Sequence, residues 1–366
     1  MVMQTALYNS RENIIMKHVK SLFFTILIAL LATGSIILMV FLVKGRSGEG
    51  SGGYRSPTYF AMDTTLEITI QGRDEKLARQ DVEAALQLVR KVESYTSRFK
   101  KGSDVWLINE KAGSLPVKVH PETLEIVERS RELSQLTGGA FDITVTPIVE
   151  LWGFYDQKYR VPTQQEIDTT RALVYYRNVM VDHTSGTVTL ARPGVEIDLG
   201  GVAKGYATGA VCGLLRNRGV KSGLVNFGGA VGAIGFRSDE KQWAVGIKSP
   251  RGDPEDLLGE LKVSNAYVSS SGDYERFFIK DGKRYCHIFD PATGRQPTEV
   301  MSVTVVGPDS MNADILSTAL FVLGPQKGQE LLSKFEGYEA VFVDSSGKVE
   351  SSKGMSKYVV EMKERL

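Results

Sequence analysis

Residues 194–210 read GVEIDLGGVAKGYATGA, and the order of residue types along them decides the fold class. The segment 195–199, VEIDL, reads as a strand that ends near Asp198, and the Gly200-Gly201 step leads into a helix over about 201–217 that carries Lys204. Glycines at such a step let bare backbone approach a ligand, and a helix N-terminus favours anionic groups. Lys204, one turn into the helix, can neutralise a phosphate; it can equally be a solvated lysine on a tight strand-to-helix turn.

Outward from this unit, strand-like segments dominate after Tyr175: YRNVMVDH, GTVTLA, GLVNFG, QWAVGIK, AYVSSSG, RFFIK, RYCHIFD and MSVTVVG. Helices are expected at about 311–322 and 326–335. Upstream, Leu66, Ile68 and Ile70 alternate with polar residues as in a half-buried strand. A helix is expected from about Asp74 to Ser94 with Leu77, Ala84, Leu88 and Val92 on its apolar side, and another from Pro121 to Leu136, stopped by Gly138 and Gly139. Thr163 and Glu166 form a capping box for a short third helix. Polar turns between the strands point to largely antiparallel or mixed sheets with helices packed on them, an α+β fold and not a doubly wound one. No break in composition divides residues 58–366.

Composition narrows the function. With 44 Lys+Arg against 43 Asp+Glu the net charge is +1, so no bulk basic field is present to grip nucleic acid. The 42% hydrophobic and 24% charged residues are those of an ordinary globular protein. Two cysteines, Cys212 and Cys286, exclude a disulfide framework and a thiolate-rich zinc site; they either pair or stand as free core thiols. The 37 glycines, about 10% of the chain against a usual ~7%, fall in clusters.

The N-terminal region is of another kind. Ser21 to Val43 are 23 residues without a charge, enough to cross a hydrocarbon core of ~30 Å as a helix. Arg11, Lys17 and Lys20 precede the run, Lys44 and Arg46 follow it, and a Gly/Ser-rich linker occupies 44–57. Residues 1–20 are read as a cytoplasmic tail and 21–43 as a single-pass transmembrane signal anchor in the inner membrane. The globular part then lies on the extracytoplasmic face, periplasmic or outer. A cleaved signal peptide is the competing reading, but the run exceeds the usual h-region of ~7–15 residues.

Residues able to carry chemistry are few. The chain has no GxxxxGK[ST] loop, no GxGxxG between strand and helix, no HExxH and no GxSxG. With only four histidines, of which His18 lies in the tail, a metal here should be hard and oxygen-ligated. Residues 306–320, VGPDSMNADILSTAL, offer Asp314 and Thr318 one turn apart on a predicted helix, where both can reach one cation. The alternative is that Asp314 caps the helix and Thr318 bonds back to the backbone. Residues 269–297 place His287 after a hairpin turning at Asp281-Gly282 and before DPATG; it is a core histidine or a general base. TGGAFDITVTPIVELWGF (137–154) sets Asp142 before an apolar helix, and NFGGAVGAIG (226–235) reads as a strand edge stripped of side chains.

In this order the stretches MDTTLEI, GGAFDITVTPIVELWGF, IDLGGVAKGYA, NFGGAVGAIG, SGDYERFF, HIFDPATG and NADILSTALFVLG resemble the ApbE family of FAD:protein FMN transferases over roughly residues 58–345. The resemblance implies an ApbE-like, T-fold-like architecture and a Mg²⁺-dependent transfer of FMN from FAD, its substrate, to a threonine hydroxyl of an acceptor flavoprotein, with release of AMP. By the same resemblance Asp314, Thr318 and the carbonyl of Gly201 match magnesium ligands. Met62 and Tyr95 match residues lining the flavin, and Ala140, Phe141, Asp142, Asp198 and Lys204 match FAD contacts. His287 matches a histidine near the reacting phosphate, which with Lys204 makes the catalytic pair. The acceptor would resemble FMN-carrying subunits of membrane redox complexes. Where the family often has FDPT and VGP, this chain reads FDIT and VTP. The same site with water as nucleophile would be an FAD pyrophosphatase giving FMN and AMP, and without chemistry an FAD-binding protein.

Overall fold

The structure, a computed structural model, describes residues 53–366 apart from Pro254; the expected tail, the apolar run at 21–43 and most of the linker lie outside the described residues. Among the described residues no helix is long and apolar enough to cross a membrane. In chain order the elements are β1 (Gly53–Arg55), β2 (Tyr59–Ala61), β3 (Thr64–Gln71), α1 (Glu75–Thr96), α2 (Asp104–Glu110), β4 (Val117–Lys118), α3 (Pro121–Leu136), α4 (Thr146–Leu151) and α5 (Gln164–Arg171). Then follow β5 (Val179–Asp182), β6 (Thr187–Leu190), α6 (Ala203–Asn217), β7 (Ser222–Phe227), β8 (Ala230–Ile234), β9 (Trp243–Lys248), β10 (Leu257–Val263), β11 (Tyr267–Gly272), β12 (Phe277–Lys280) and β13 (Lys283–Cys286). The chain closes with β14 (Val300–Gly307), α7 (Ser310–Leu332), β15 (Glu339–Asp344), β16 (Val349–Ser351) and β17 (Val359–Met362).

The main sheet runs β1-β3-β7-β8-β11-β14-β15-β16, with β2 also paired to β3. Every strand pairing described is antiparallel. Alternation explains its two faces. Leu66, Ile68 and Ile70 of β3 turn to the helical side, joining residues of α1, α6 and α7 in one core. Leu224, Val231, Val268 and Val341 face the other way, onto the small sheet β17-β10-β9. A third cluster joins α2, α3 and the sheet β4-β6-β5 to α7, and a fourth, rich in aromatics, gathers Trp152, Phe154 and Phe289. Each fully buried Leu or Ile of these cores contributes about 1.5–3 kcal/mol of burial free energy.

Several expectations need correction. In α1 the buried side is Ala78, Val82, Ala85, Leu86, Val89 and Val92, while Leu77 is 45% exposed. Of the expected apolar side Ala84 and Leu88 are partly buried and Val92 fully, so the buried stripe is centred to one side of the expected line and Leu77, in the first turn, falls off it. The segment 195–199 is extended and buries Val195, Ile197 and Leu199, yet it forms no ladder. Its polar backbone is met locally, as where Asn109 brackets Ile197 from both N–H and C=O. Residues 226–235 are no edge: β8 pairs with both β7 and β11 in the interior of the sheet. The two helices expected at the end are present within α7, where they meet at a break: Gly324 takes a non-helical φ of 74° and ψ of 177° ahead of Pro325. Cys212 and Cys286 are both free and buried.

Two glycines fix how α6 meets α7. A Cβ on Gly205 would lie 2.6 Å from both Asp314 Cβ and the Ser310 carbonyl oxygen, and one on Gly209 would lie 2.2 Å from Ser310 Oγ. Gly205→Ala is therefore expected to push the helices apart and destabilise the protein by about 1–3 kcal/mol in a denaturant titration. A stability equal to wild type would show that the helices accommodate a methyl group.

Candidate functional site

The close approach of α6 and α7 brings the backbone of one against a carboxylate of the other. Asp314, 4% exposed, accepts the N–H of Gly205 at Oδ2 (2.9 Å) and the hydroxyl of Ser269 at Oδ1 (2.7 Å). The helix cap is Asp309, whose side chain accepts the Asn312 N–H, so Asp314 stands one turn inside the helix and free of capping duty. Thr318 sits 3.3 Å from Ser271 Oγ, which also touches Ser317 Oγ at 2.8 Å. Ser269 and Ser271 share one face of β11, so Asp314 and Thr318 are turned toward the same line of hydroxyls.

Gly205 is the third residue of α6, so its N–H is one of the donors that a helix N-terminus leaves without an intrahelical partner. Asp314 supplies that partner, and the Gly201 oxygen, ahead of the helix, has no hydrogen bond among the described residues. A carbonyl, a hydroxyl and a carboxylate are hard oxygen donors. Among the described residues no three His, Cys, Asp or Glu side chains gather as a metal site, so any cation here would complete its shell with water or ligand oxygens. No Lys, Arg or His pairs with Asp314 among the described residues.

Lys204 curls back over the glycine step, donating to the Gly200 carbonyl at 3.3 Å. His287 follows β13, where the expected strand stops one residue short of it, and its N–H donates to the Arg276 carbonyl at 3.0 Å. The residue is partly exposed while its Nδ1 is buried without a partner. Burial first, then the charges of Arg276 and Lys204, push its pKa down to about 3, so the ring is neutral at physiological pH. Lys204 and His287 are thus electrostatic neighbours.

Asp198 is held by Tyr155, whose hydroxyl donates to Oδ2 at 2.7 Å, and by the Gly200 N–H at Oδ1, 2.8 Å. Arg98 lies over the Tyr155 ring at 4.1 Å, and Phe99, 62% exposed, meets that ring edge-on at 5.4 Å. Arg98, Phe99 and Tyr155 were not singled out from sequence; the signal was a lone phenylalanine in the polar run SRFKKGS.

The remaining candidates divide. Ala140 and Phe141 are buried, with the Phe141 ring beside Gly201. Asp142 lies at the same turn, but its carboxylate is consumed by the Thr144 N–H and hydroxyl and by the Tyr176 N–H, and burial raises its pKa. Met62 forms a two-residue turn with Asp63, and its N–H donates to Glu93 Oε1 at 2.8 Å. Tyr95 stacks on His120 at 3.5 Å, backed by Asp104, and no contact ties it to Asp198, Lys204 or His287.

A family model described as the ApbE family matches residues 62–342. The chain belongs to the ApbE family. It is 35% identical over 283 residues to a FAD:protein FMN transferase of Klebsiella pneumoniae (strain 342), covering 77% of this chain and 86% of that protein. It is 32% identical over 292 residues to the FAD:protein FMN transferase of Escherichia coli (strain K12), covering 78% and 83%. Among solved structures, the ApbE protein of Thermotoga maritima superposes with a TM-score of 0.79 at 33% identity, covering 85% of this chain and 100% of that one. The flavin transferase ApbE from Vibrio cholerae gives 0.76 at 28% identity, covering 84% and 100%. These neighbours share the mixed α+β, antiparallel architecture of this ApbE member.

Two outcomes follow from the site's hydrogen bonds and charges. Between pH 6.5, the ordinary histidine value, and about 3, the unfolded chain binds a proton at residue 287 that the native state refuses. Stability is thus expected to fall as pH drops through that window, and His287→Gln to flatten the slope; an unchanged midpoint-versus-pH curve contradicts the assignment. Tyr155→Phe, which removes a donor from Asp198, should cost about 1 kcal/mol in urea unfolding.

Proposed function

We propose that this protein transfers FMN from FAD to a threonine hydroxyl of an acceptor flavoprotein and releases AMP, with a hard divalent cation, Mg²⁺, at Asp314. The observation that carries this reading is the state of Asp314. A buried carboxylate bound by two neutral donors and no cation is costly unless a positive ligand completes it. The unbonded Gly201 carbonyl and the Thr318 hydroxyl are the further oxygens that would hold the ion.

When bound, the cation supplies charge neutralisation at the diphosphate. Lys204, at the start of α6, adds positive charge beside the same backbone step. The glycines at 200 and 201 let the diphosphate approach the helix end closely. In the transfer the threonine oxygen bonds to the FMN phosphorus, the bond from that phosphorus to the bridging oxygen breaks, and AMP leaves with the bridging oxygen. His287, kept neutral by burial first and then by Arg276 and Lys204, has a ring nitrogen without a partner that would take the threonine proton. A bound diphosphate offsets those two cations and thereby raises the basicity of the ring at the moment it is needed.

Relatives named FAD:protein FMN transferases support the substrate and the reaction class. The exposed Phe99, with Tyr155 and Asp198, offers an aromatic and polar wall for part of the dinucleotide. We place the domain outside the cytoplasm, tethered through the apolar run at 21–43.

Asp314→Asn keeps the volume and a hydrogen-bond acceptor while removing the charge. It is expected to lower FMN transfer at least ~10²-fold with the fold retained. The assay is incubation with FAD, Mg²⁺ and an apo-acceptor, followed by the mass of the acceptor. Wild-type activity in the variant, or in the presence of a chelator, would refute a role for the cation. Free FMN and AMP with an unmodified acceptor would identify a hydrolase instead.

A further inference from the structure

The hairpin of β12 and β13 stands apart from the other sheets: its two strands pair only with each other among the described residues. One face is fixed by a run of rings, Tyr159 on Phe278 at 5.1 Å, Phe278 on Tyr285 at 5.0 Å and Tyr285 against Trp152 at 5.5 Å. The opposite face carries Phe277 and Ile279, 37% and 62% exposed, with the Arg284 guanidinium 3.7 Å above the Phe277 ring. The hairpin emerges from the site, because the residue after β13 is His287, bonded back to Arg276 just before β12.

Its charges are unbalanced. Lys280 and Lys283 lie directly opposite one another across the turn, an arrangement that destabilises a hairpin. Neither they nor Arg284 has a carboxylate within ion-pair distance among the described residues. The nearby acid, Asp273, is taken by Arg251 through two bonds of 2.7 and 2.6 Å. Arg284 Nη1 is buried with no partner, and burial, with Arg251 close by, pushes the guanidinium pKa down. Arg284 shares the Phe277–Ile279 face, while Lys280 and Lys283 sit at the tip in register with Phe278 and Tyr285, Lys283 Nζ 5.3 Å from the Tyr285 ring. With Asp281 the one acid of the hairpin, the exposed face and the basic tip together complement a segment that is acidic and partly apolar.

We propose that this face and tip of the hairpin dock an acidic, partly apolar segment of the acceptor protein and so deliver its threonine to His287. The inference rests on the transferase reading above, since a hydrolase needs no protein acceptor. An extended segment laid along a hairpin strand would run toward the residue that takes the proton. Apolar contact with Phe277 and Ile279 would supply affinity, and the cations would supply steering and register.

The test uses the full-length protein in detergent micelles with FAD, Mg²⁺ and the apo-form of a redox-complex subunit bearing a target threonine. Acceptor binding and FMN transfer are measured separately. The double variant Lys280→Gln/Lys283→Gln removes both cations and their repulsion without setting new acids beside Asp281. It is expected to raise the acceptor Kd and KM about tenfold, with kcat at saturating acceptor and FAD affinity unchanged. Lys280→Glu alone creates an attractive cross-strand pair and leaves Lys283 over the Tyr285 ring; it should leave thermal stability no lower and still weaken the acceptor. Ile279→Ser should weaken it without altering the salt dependence. Unchanged acceptor Kd and KM, or an equal loss of FAD affinity, overturns the proposal. An effect confined to anionic phospholipid vesicles, absent in micelles, assigns the face to lipid and also overturns it. If the acceptor binds wild type and not the variant while neither transfers FMN, the hairpin assignment stands and the transferase reading falls.

Discussion

The bond from Gly205 N–H to Asp314 Oδ2 is the constraint on which the site depends. It exists because residue 205 has no side chain: any Cβ would sit inside contact distance of Asp314 and of the Ser310 carbonyl. Two consequences share this cause. The helices α6 and α7 come close enough to bury a carboxylate, and that carboxylate accepts a backbone donor that the start of α6 leaves open. Ser269, from the central strand β11, supplies the second donor, so the carboxylate is fixed by two helices and the sheet together. Rigid placement of this kind suits a reaction whose catalysis is mostly alignment and charge neutralisation.

Along the chain Asp198 precedes the glycine step and Lys204 follows it. Asp314 and Asp198 are held by neutral donors, while Lys204 and Arg276 bear on a histidine that is kept neutral. In the proposed reading an anionic diphosphate would meet the cationic groups and a divalent cation the buried Asp314 carboxylate. The same logic separates Asp142, whose three donors already satisfy it, from Asp314 and Asp198, which keep capacity for a ligand.

Much of this was legible before the coordinates. Alternation in Leu66, Ile68 and Ile70, the boundaries of the helix from Pro121 to Leu136, the capping box at Thr163 and the turn at Asp281-Gly282 are local patterns, and local patterns survive folding. Asp314 and Thr318 on one helical turn are of the same kind. What was illegible is tertiary. Nothing in the run 195–199 says that its hydrogen bonds go to Asn109 and not to a neighbouring strand. Nor does Tyr95 announce its stacking on His120, or Phe99 its place beside Tyr155; each depends on a neighbour distant in sequence or on a loop. The serines of β11 escaped notice because a hydroxyl in a strand acquires meaning only from the carboxylate opposite it.

The turn at Met62 and Asp63 shows how the same backbone problem is solved in two ways. Both residues have positive φ, 49° and 57°, a conformation that disfavours side chains, while the adjoining turn between β7 and β8 uses Gly228 and Gly229. The two turns touch, since Gly228 N–H donates to the Thr65 carbonyl, and a Cβ on Gly228 would lie 2.1 Å from Thr64 Oγ1. Glycine is therefore required at 228 because the side chain of Thr64, the first residue of β3, occupies the space a Cβ would need. The strain that Met62 accepts is offset by Glu93, whose carboxylate takes its N–H from the last turns of α1. An acidic group near a helix C-terminus is itself unfavourable, by about 0.3–1 kcal/mol. The Met62 side chain packs against two of the hydrophobic cores, and this packing, with the bond to Glu93, holds the turn in its left-handed conformation.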